Sequence, residues 1–330
     1  MTGGLPLREA QRLARDAEQA GFGGIVVTEG ARTAYLTCAA MALVSELELA
    51  TGVAVAFPRS PMVTAEVAWE LAQATDGRFR LGLGTQVRAH VERRYGAEFS
   101  PPGPRMREYI QAVRACFHAF RGHADLAVAG EFWSIDLLPP LWSPGPIEPP
   151  DPPIDVAAVN PWMLRMAAEV ADGVHVHPLN TPTYLSTTVL PIVGGKVLIV
   201  PAFAAPGETS DERERWRDVV RAQVAFYGST PNYAFIFEQL DRPDVTPQLR
   251  SRMREGDTAG MAAVIDDELL GHFCVSGTFA EVADGLVARY NGVADRLVLY
   301  SAGSAWRRGE LGPWGELATD VAARTSRGGR

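Results

Sequence analysis

Two histidines, His175 and His177, stand two residues apart in the apolar run Val174 to Leu179 of this 330-residue chain. In an extended strand both point to one side, and Pro178 restricts His177 to extended backbone. An imidazole titrates nearest neutral pH, so His177, the closer to the strand end, is the best-placed proton carrier, or a hydrogen-bond donor to a phosphate. A histidine pair can also hold a metal, but the spacing supplies no third ligand and none is expected; either ring can equally be a satisfied core histidine. Glu29 places a carboxylate at the end of another apolar run, Phe22 to Thr28. Gly82-Leu-Gly84 after a strand invites a dinucleotide site, yet Val87 stands where a third glycine belongs and no acidic residue follows at the right distance. Glycines there fit a planar ring approaching the backbone better. Arg59 can meet a negative group, cap a helix or stay solvated.

The elements that must hold these residues alternate strand and helix. Leu49 to Ala56 is uncharged, small or β-branched, which suits a strand buried on both faces. Pro58 and Pro61 close it and open a helix with Val63, Val67, Leu71 and Ala74 at helical spacing. Asp76-Gly77 ends that helix, and Phe79 to Leu83 is the next strand. The same alternation predicts helices over Leu7 to Ala20, Thr33 to Ser45, Met106 to Phe120, Pro161 to Ala171, Tyr184 to Leu190, Thr209 to Tyr227 and Glu281 to Tyr290. Further strands are expected over Phe22 to Thr28, Ile154 to Val159, Val174 to Leu179, Val197 to Phe203 and Arg296 to Tyr300. Ala124 to Leu138 alternates like a hairpin, and Pro139 to Pro153, with eight prolines, is an extended crossing segment. Gly52, Gly82 and Gly84 then lie within or at the carboxyl ends of strands, the face where a β/α barrel binds ligands.

Thr51-Gly-Val53, Arg59-Ser-Pro61, Asp76-Gly-Arg-Phe79 and Leu81-Gly-Leu-Gly-Thr85 together resemble the bacterial luciferase-like superfamily, in its deazaflavin (coenzyme F420)-dependent oxidoreductase branch. The resemblance continues at Ala167-Ala-Glu-Val-Ala-Asp-Gly173, Phe226-Tyr-Gly-Ser-Thr-Pro231 and Val275-Ser-Gly-Thr-Phe279, and covers about residues 7 to 300. It implies a (β/α)8 TIM barrel in one domain, 1–330, with insertions near 87–105, 124–153 and 230–270. The first strand is expected to be short or incomplete: Thr2 to Leu5 is either a stub or the remainder of a chain that starts further upstream. A helix remnant and disordered tail are expected over 317–330.

The resemblance also implies site residues. The bond Gly52–Val53 matches a bulge with a non-proline cis peptide that presses on the central ring of the flavin or deazaflavin, with Gly84 and Thr85 beside it. The turn Asn160-Pro161-Trp162 matches the phosphate turn, where the amides of Trp162 and Met163 open a helix that Asn160 can cap. His177 matches a position near the coenzyme tail. Glu29 matches an acidic or histidine position beside the ring, although Gly30 to Ala34 departs from the family's usual continuation. Val87 stands where some relatives carry an acidic proton donor, so glucose-phosphate chemistry is not implied; Gln86 is the positioning candidate instead. Arg88, Arg93 and Arg94 are either a solvated loop or partners of an acidic coenzyme tail. Phe57, Trp133, Trp142, Trp162 and Tyr184 would line an apolar mouth.

The expected function is hydride transfer between F420 and a small organic, apolar or aromatic substrate, with Glu29 and His177 handling protons. One alternative keeps the fold and uses reduced FMN and oxygen as a monooxygenase; another is a non-catalytic flavin- or partner-binding barrel. A net charge of −8 gives no basic surface for nucleic acid. Three scattered cysteines imply reduced thiols and a cytoplasmic protein, without signal peptide or membrane span. A small-molecule substrate and a second copy of the chain are the expected partners.

Overall fold

Short apolar-rich runs of small and β-branched residues become the parallel strands, and several proline- or threonine-opened segments become helices between them. The computed structural model describes residues 1–325. These form two compact units, Met1–His175 with Ile192–Val197, and Val176–Pro191 with the chain from Leu198 onward.

In the first unit, strands β1 (Thr2–Gly3), β2 (Gly24–Thr28), β3 (Glu48–Thr51), β5 (Phe79–Gly84), β8 (Ile154–Ala157) and β9 (Gly173–His175) pair in that order, all parallel. The stub β1 sets Thr2 opposite Val27. The expected single strand over 49–56 is two pieces: β3 stops at Thr51, and β4 (Ala54–Val55) resumes on β5, with Gly52 and Val53 between them. Helix α1 (Leu7–Gln19) buries Ala10, Leu13, Ala14 and Ala17, while Leu7 is exposed. Helix α2 (Ala34–Ala42) packs on α1.

Helix α3 (Pro61–Ala74) is capped by Ser60 and buries a different face from the one expected. Thr64, Ala65, Ala68, Trp69, Leu71 and Ala72 go inward, and Val63 stays exposed. Alanines let the helix lie close to its neighbours while Trp69 supplies the bulk, stacking on Phe117 at 5.4 Å in helix α4 (Pro102–Phe120). The α4 helix starts four residues before Met106, and the expected loop over 87–105 holds a single π-helical turn, His90–Arg94. The hairpin forms between β6 (Val128–Ala129) and β7 (Ser134–Ile135). Helix α5 (Pro161–Val170) follows β8.

In the second unit, β10 (Val197–Pro206) is central. It pairs β12 (Arg296–Leu299) along Ile199–Ala202 and β11 (Cys274–Gly277) along Phe203–Pro206, both parallel. The β11 strand was not expected: it follows the helix Asp267–Phe273 with no turn to announce it. Helices Ser210–Gly228 and Phe279–Tyr290 each begin with a capping box, Thr209 with Glu212 and Thr278 with Glu281. Residues 317–324, expected as a remnant and tail, end a 14-residue helix, Leu311–Arg324, that buries Leu311, Trp314, Leu317 and Val321. Trp314 meets Trp216 edge-on at 5.0 Å. The rest of the expected tail, 326–330, lies outside the described residues. Cys38, Cys116 and Cys274 are buried thiols. Among the described residues no helix is long and apolar enough to cross a membrane.

Candidate functional site

The interruption at Gly52–Val53 is tied to its surroundings by backbone and side-chain hydrogen bonds on both sides. Its peptide bond is cis. Gly52 donates its N–H to the Val27 carbonyl at 2.8 Å, and Glu29 donates its own N–H to the Val53 carbonyl at 3.2 Å. Beyond the bulge, Val55 N–H donates to Glu29 Oε2 at 2.8 Å. On the β5 side the Thr51 hydroxyl stands in for a ladder rung. It accepts from Gly82 N–H at 2.9 Å and donates to the Gly82 carbonyl at 2.8 Å. The chain can therefore leave the regular ladder without orphaning either backbone group of Gly82.

Glu29 is 4% exposed and both carboxylate oxygens are engaged. Arg59 Nη2 reaches Oε1 at 2.5 Å and Nη1 reaches Oε2 at 3.0 Å. The same guanidinium donates to the Val55 carbonyl at 2.8 Å and the Thr33 hydroxyl at 3.3 Å, and lies over the Tyr35 ring. Arg59 is thus neither solvated nor free for a ligand anion. Together the pair grips Val55 by both its N–H and its carbonyl.

The glycines expected to admit a planar ring are filled by the protein itself. A Cβ on Gly82 would lie 1.8 Å from the Thr51 carbonyl oxygen and 2.5 Å from His175 Nε2. On Gly84 it would meet Val53 Cγ2 at 2.4 Å, and on Gly52 Val26 Cγ1 at 2.2 Å. What remains partly exposed is the bulge, Gly52 and Val53.

His175 is 4% exposed, its Nε2 has no partner, and burial pushes its pKa down to about 4. It is a neutral core histidine packed against Gly52 and Gly82. Nearby, Arg80 and Asp155 form a buried two-point ion pair at 2.8 and 2.6 Å between β5 and β8.

The remaining residues of the first unit diverge from expectation. Gln86 has a positive φ and is exposed, and its side-chain oxygen accepts the Val87 N–H at 3.0 Å; Thr85 turns its hydroxyl to the Gln86 carbonyl. Asn160 caps α5 as expected, but its Oδ1 takes the Met163 N–H at 2.9 Å. Pro161 has no N–H, so of the two amides expected for a phosphate only that of Trp162 is left. Trp162 packs on Gly103, where a Cβ would come within 2.2 Å of the indole. Arg88 pairs with Glu92 and Arg94 holds the Gly30 carbonyl, while Arg93 is exposed. Phe57 and Trp133 both flank the Arg105 guanidinium; Trp142 projects outward at 76% exposure, and Tyr184 is buried in the second unit against Phe235.

In the second unit His177 stands two residues past the end of β9, not within it. Its Nδ1 accepts the Leu179 N–H at 3.1 Å, which fixes the neutral tautomer carrying hydrogen on Nε2. Tyr233 lies 4.0 Å away and Tyr227 4.8 Å away, centroid to centroid, and burial pushes the imidazole pKa down to about 3. Tyr227 is hydrogen-bonded in turn to Tyr300. This imidazole is a neutral donor, not a proton carrier resting near pH 7. Sequence reasoning gave no role to Asn180, Tyr233 or Tyr300, and named Thr51 and Tyr227 only as parts of the motifs Thr51-Gly-Val53 and Phe226-Tyr-Gly-Ser-Thr-Pro231.

Parallel strands with helices between them, and a bulge at the end of β3, define an α/β scaffold. Comparison narrows it. Residues 1–296 match the model of the luciferase-like monooxygenase family, and the chain belongs to that family. An uncharacterized protein of Mycobacterium tuberculosis is 35% identical over 312 residues, 90% of this chain and 92% of that one. A second protein of that organism, provisionally named a coenzyme F420-dependent oxidoreductase, is 26% identical over 342 residues, 92% and 93% of the two chains. Among solved structures, the coenzyme F420 dependent tetrahydromethanopterin reductase of Methanopyrus kandleri matches with a TM-score of 0.75 at 16% identity, over 96% of each chain. The likeness shows the fold, an α/β barrel of the luciferase-like type.

Proposed function

We propose that this protein is an oxidoreductase that transfers a hydride between coenzyme F420 and a small organic substrate of apolar or aromatic character. The observation that carries the coenzyme assignment is the match along 92% of this chain to the relative named for that coenzyme. The residues present fit such a group. The Gly52–Val53 bulge offers partly exposed, side-chain-poor backbone, held before the break by the Val27 carbonyl and just after it, at Val55, by Glu29 and Arg59. Each unit carries a neutral donor that suits an oxygen atom: the Trp162 N–H in the first and the Nε2–H of His177 in the second.

The bound coenzyme would supply the hydride. The bulge would back its ring, and Glu29 braces that backbone, its oxygens already committed to Arg59 and Val55. His177, in the second unit, would offer its Nε2–H to an oxygen atom of a bound ligand. Gln86 and Thr85, together with Gly84, shape the loop edge, and Asn160 with Pro161 orders the turn that presents the Trp162 amide. Trp133 and the half-exposed Trp162 favour an apolar substrate.

The family's own description favours a second reading, a monooxygenase using reduced FMN and oxygen. Turnover assays with reduced F420 or reduced FMN, each with and without oxygen, over a panel of small aromatic ketones, aldehydes and alkenes separate the two. Product with F420 in the absence of oxygen supports the hydride transfer. Product only with FMN and oxygen replaces it with the monooxygenase.

A further inference from the structure

Just past the end of β9, the backbone that carries His177 lacks a rung that would continue its ladder. Val176 N–H donates to the Ile199 carbonyl at 3.0 Å. The parallel ladder advances by two residues, so the next rung would run from residue 178 to the Pro201 carbonyl. Residue 178 is proline and has no N–H to give. The Pro201 carbonyl is nevertheless satisfied: Asn180 Nδ2 donates to it at 2.9 Å. The same amide donates to the His177 carbonyl at 2.9 Å and the Pro178 carbonyl at 3.2 Å. Asn180 is 2% exposed, and its Oδ1 has no partner. Three carbonyl oxygens around one NH2 leave only one orientation of the side chain, since the flipped amide would set oxygen against oxygen.

We propose that Asn180 is the positioning residue for His177: its side-chain amide replaces the rung that Pro178 cannot make, and thereby fixes the loop that aims the imidazole. The chain of contacts is continuous. Asn180 holds the His177 carbonyl, and the Leu179 N–H, between those two residues, holds His177 Nδ1 and so presents Nε2–H outward. The proposal rests on the reading of His177 as a coenzyme contact, but the clamp itself can be measured separately.

The test uses the full chain in four forms besides the native one: Asn180→Ala, Asn180→Asp, Pro178→Ala/Asn180→Ala and His177→Ala. Two quantities are read, the F420 dissociation constant and the hydrogen-exchange rate of the Leu179 amide. Loss of one buried hydrogen-bonding amide should change each by about tenfold in Asn180→Ala. Asn180→Asp keeps the volume but sets a carboxylate against three carbonyls, so it should be at least as damaging. Pro178→Ala restores an N–H at the vacant rung and should return both quantities to within about threefold of native. Native-like exchange in Asn180→Ala, or no rescue by Pro178→Ala, overturns the clamp. If exchange responds and is rescued while neither Asn180→Ala nor His177→Ala weakens F420 binding, the clamp stands and the coenzyme role of His177 falls.

Discussion

Glu29 and Arg59, thirty residues apart in sequence, meet through two nitrogen–oxygen contacts at 2.5 and 3.0 Å, and both also bind Val55, one through its N–H and the other through its carbonyl. The strand that breaks at Gly52–Val53 is therefore re-anchored by a charged pair immediately after the break. A buried pair of this kind adds little net stability against an apolar substitute, but removing one partner leaves the other charged and unmatched.

Glu29→Gln should accordingly destabilise the fold, by about 2–4 kcal/mol in a urea titration. F420 affinity should fall with it, while the pH profile of any turnover keeps its shape. A general acid at Glu29 would give the opposite pattern: affinity kept, turnover down by roughly 100-fold, and one limb of the pH profile lost.

Gly82→Ala tests the packing inside the first unit. The added methyl would sit on the Thr51 carbonyl and His175 Nε2 at once. Backbone cannot give way as a flexible side chain can, so a loss of about 3 kcal/mol or more is expected, or no soluble protein. A native melting temperature for this variant would mean that the glycine faces open space.

The buried histidines set an acid limit. The folded-state pKa of His175 is about 4 and that of His177 about 3, both below the ordinary 6.5. The unfolded chain therefore binds more protons as pH falls below 6.5, and stability present above that pH is lost from 6.5 down to about 4 for His175 and down to about 3 for His177. For His175 the loss is roughly 3 kcal/mol across the window. Urea midpoints measured from pH 7 to 4.5 should fall, and should fall less steeply in His175→Leu. Parallel slopes in the two proteins would show that His175 is not buried in its neutral form.

His177→Ala should weaken F420 binding with little change in turnover at saturating coenzyme, because a neutral hydrogen bond to the coenzyme is a ground-state contact. Stopped-flow and titration data together read the split. A selective loss of turnover would make His177 a proton donor after all.

The parts of this protein legible from sequence are those decided locally. Short apolar-rich runs mark most of the strands, Pro61 and Pro161 open helices where no N–H is needed, and Thr209-x-x-Glu212 writes its own cap. The luciferase-like fold, along with the place of the bulge at Gly52, was implied by the resemblance carried by Thr51-Gly-Val53 and the motifs that follow it. What sequence could not supply is which atoms occupy the space a glycine leaves. Gly82 and Gly84 looked like room for a ring and are filled by Thr51, His175 and Val53. Nor does sequence show that Glu29 and Arg59 meet, since a contact across 30 residues depends on the packed fold. Gly312, Pro313 and Gly315 disguised the last helix, although Pro313 lies in its first turn, where proline costs nothing. The offset of the α3 face has a similar origin: alanine packs where close approach matters, and periodicity alone ranked Val63 above it.

The central claim is that this chain uses a deazaflavin, and a side-by-side fluorescence titration of the purified protein with F420 and FMN tests it most directly. Tighter binding of F420, with the Gly52→Val variant losing it while remaining folded by circular dichroism, is the expected result. Equal or tighter binding of FMN would contradict the claim and transfer the protein to the oxygen-using side of its family.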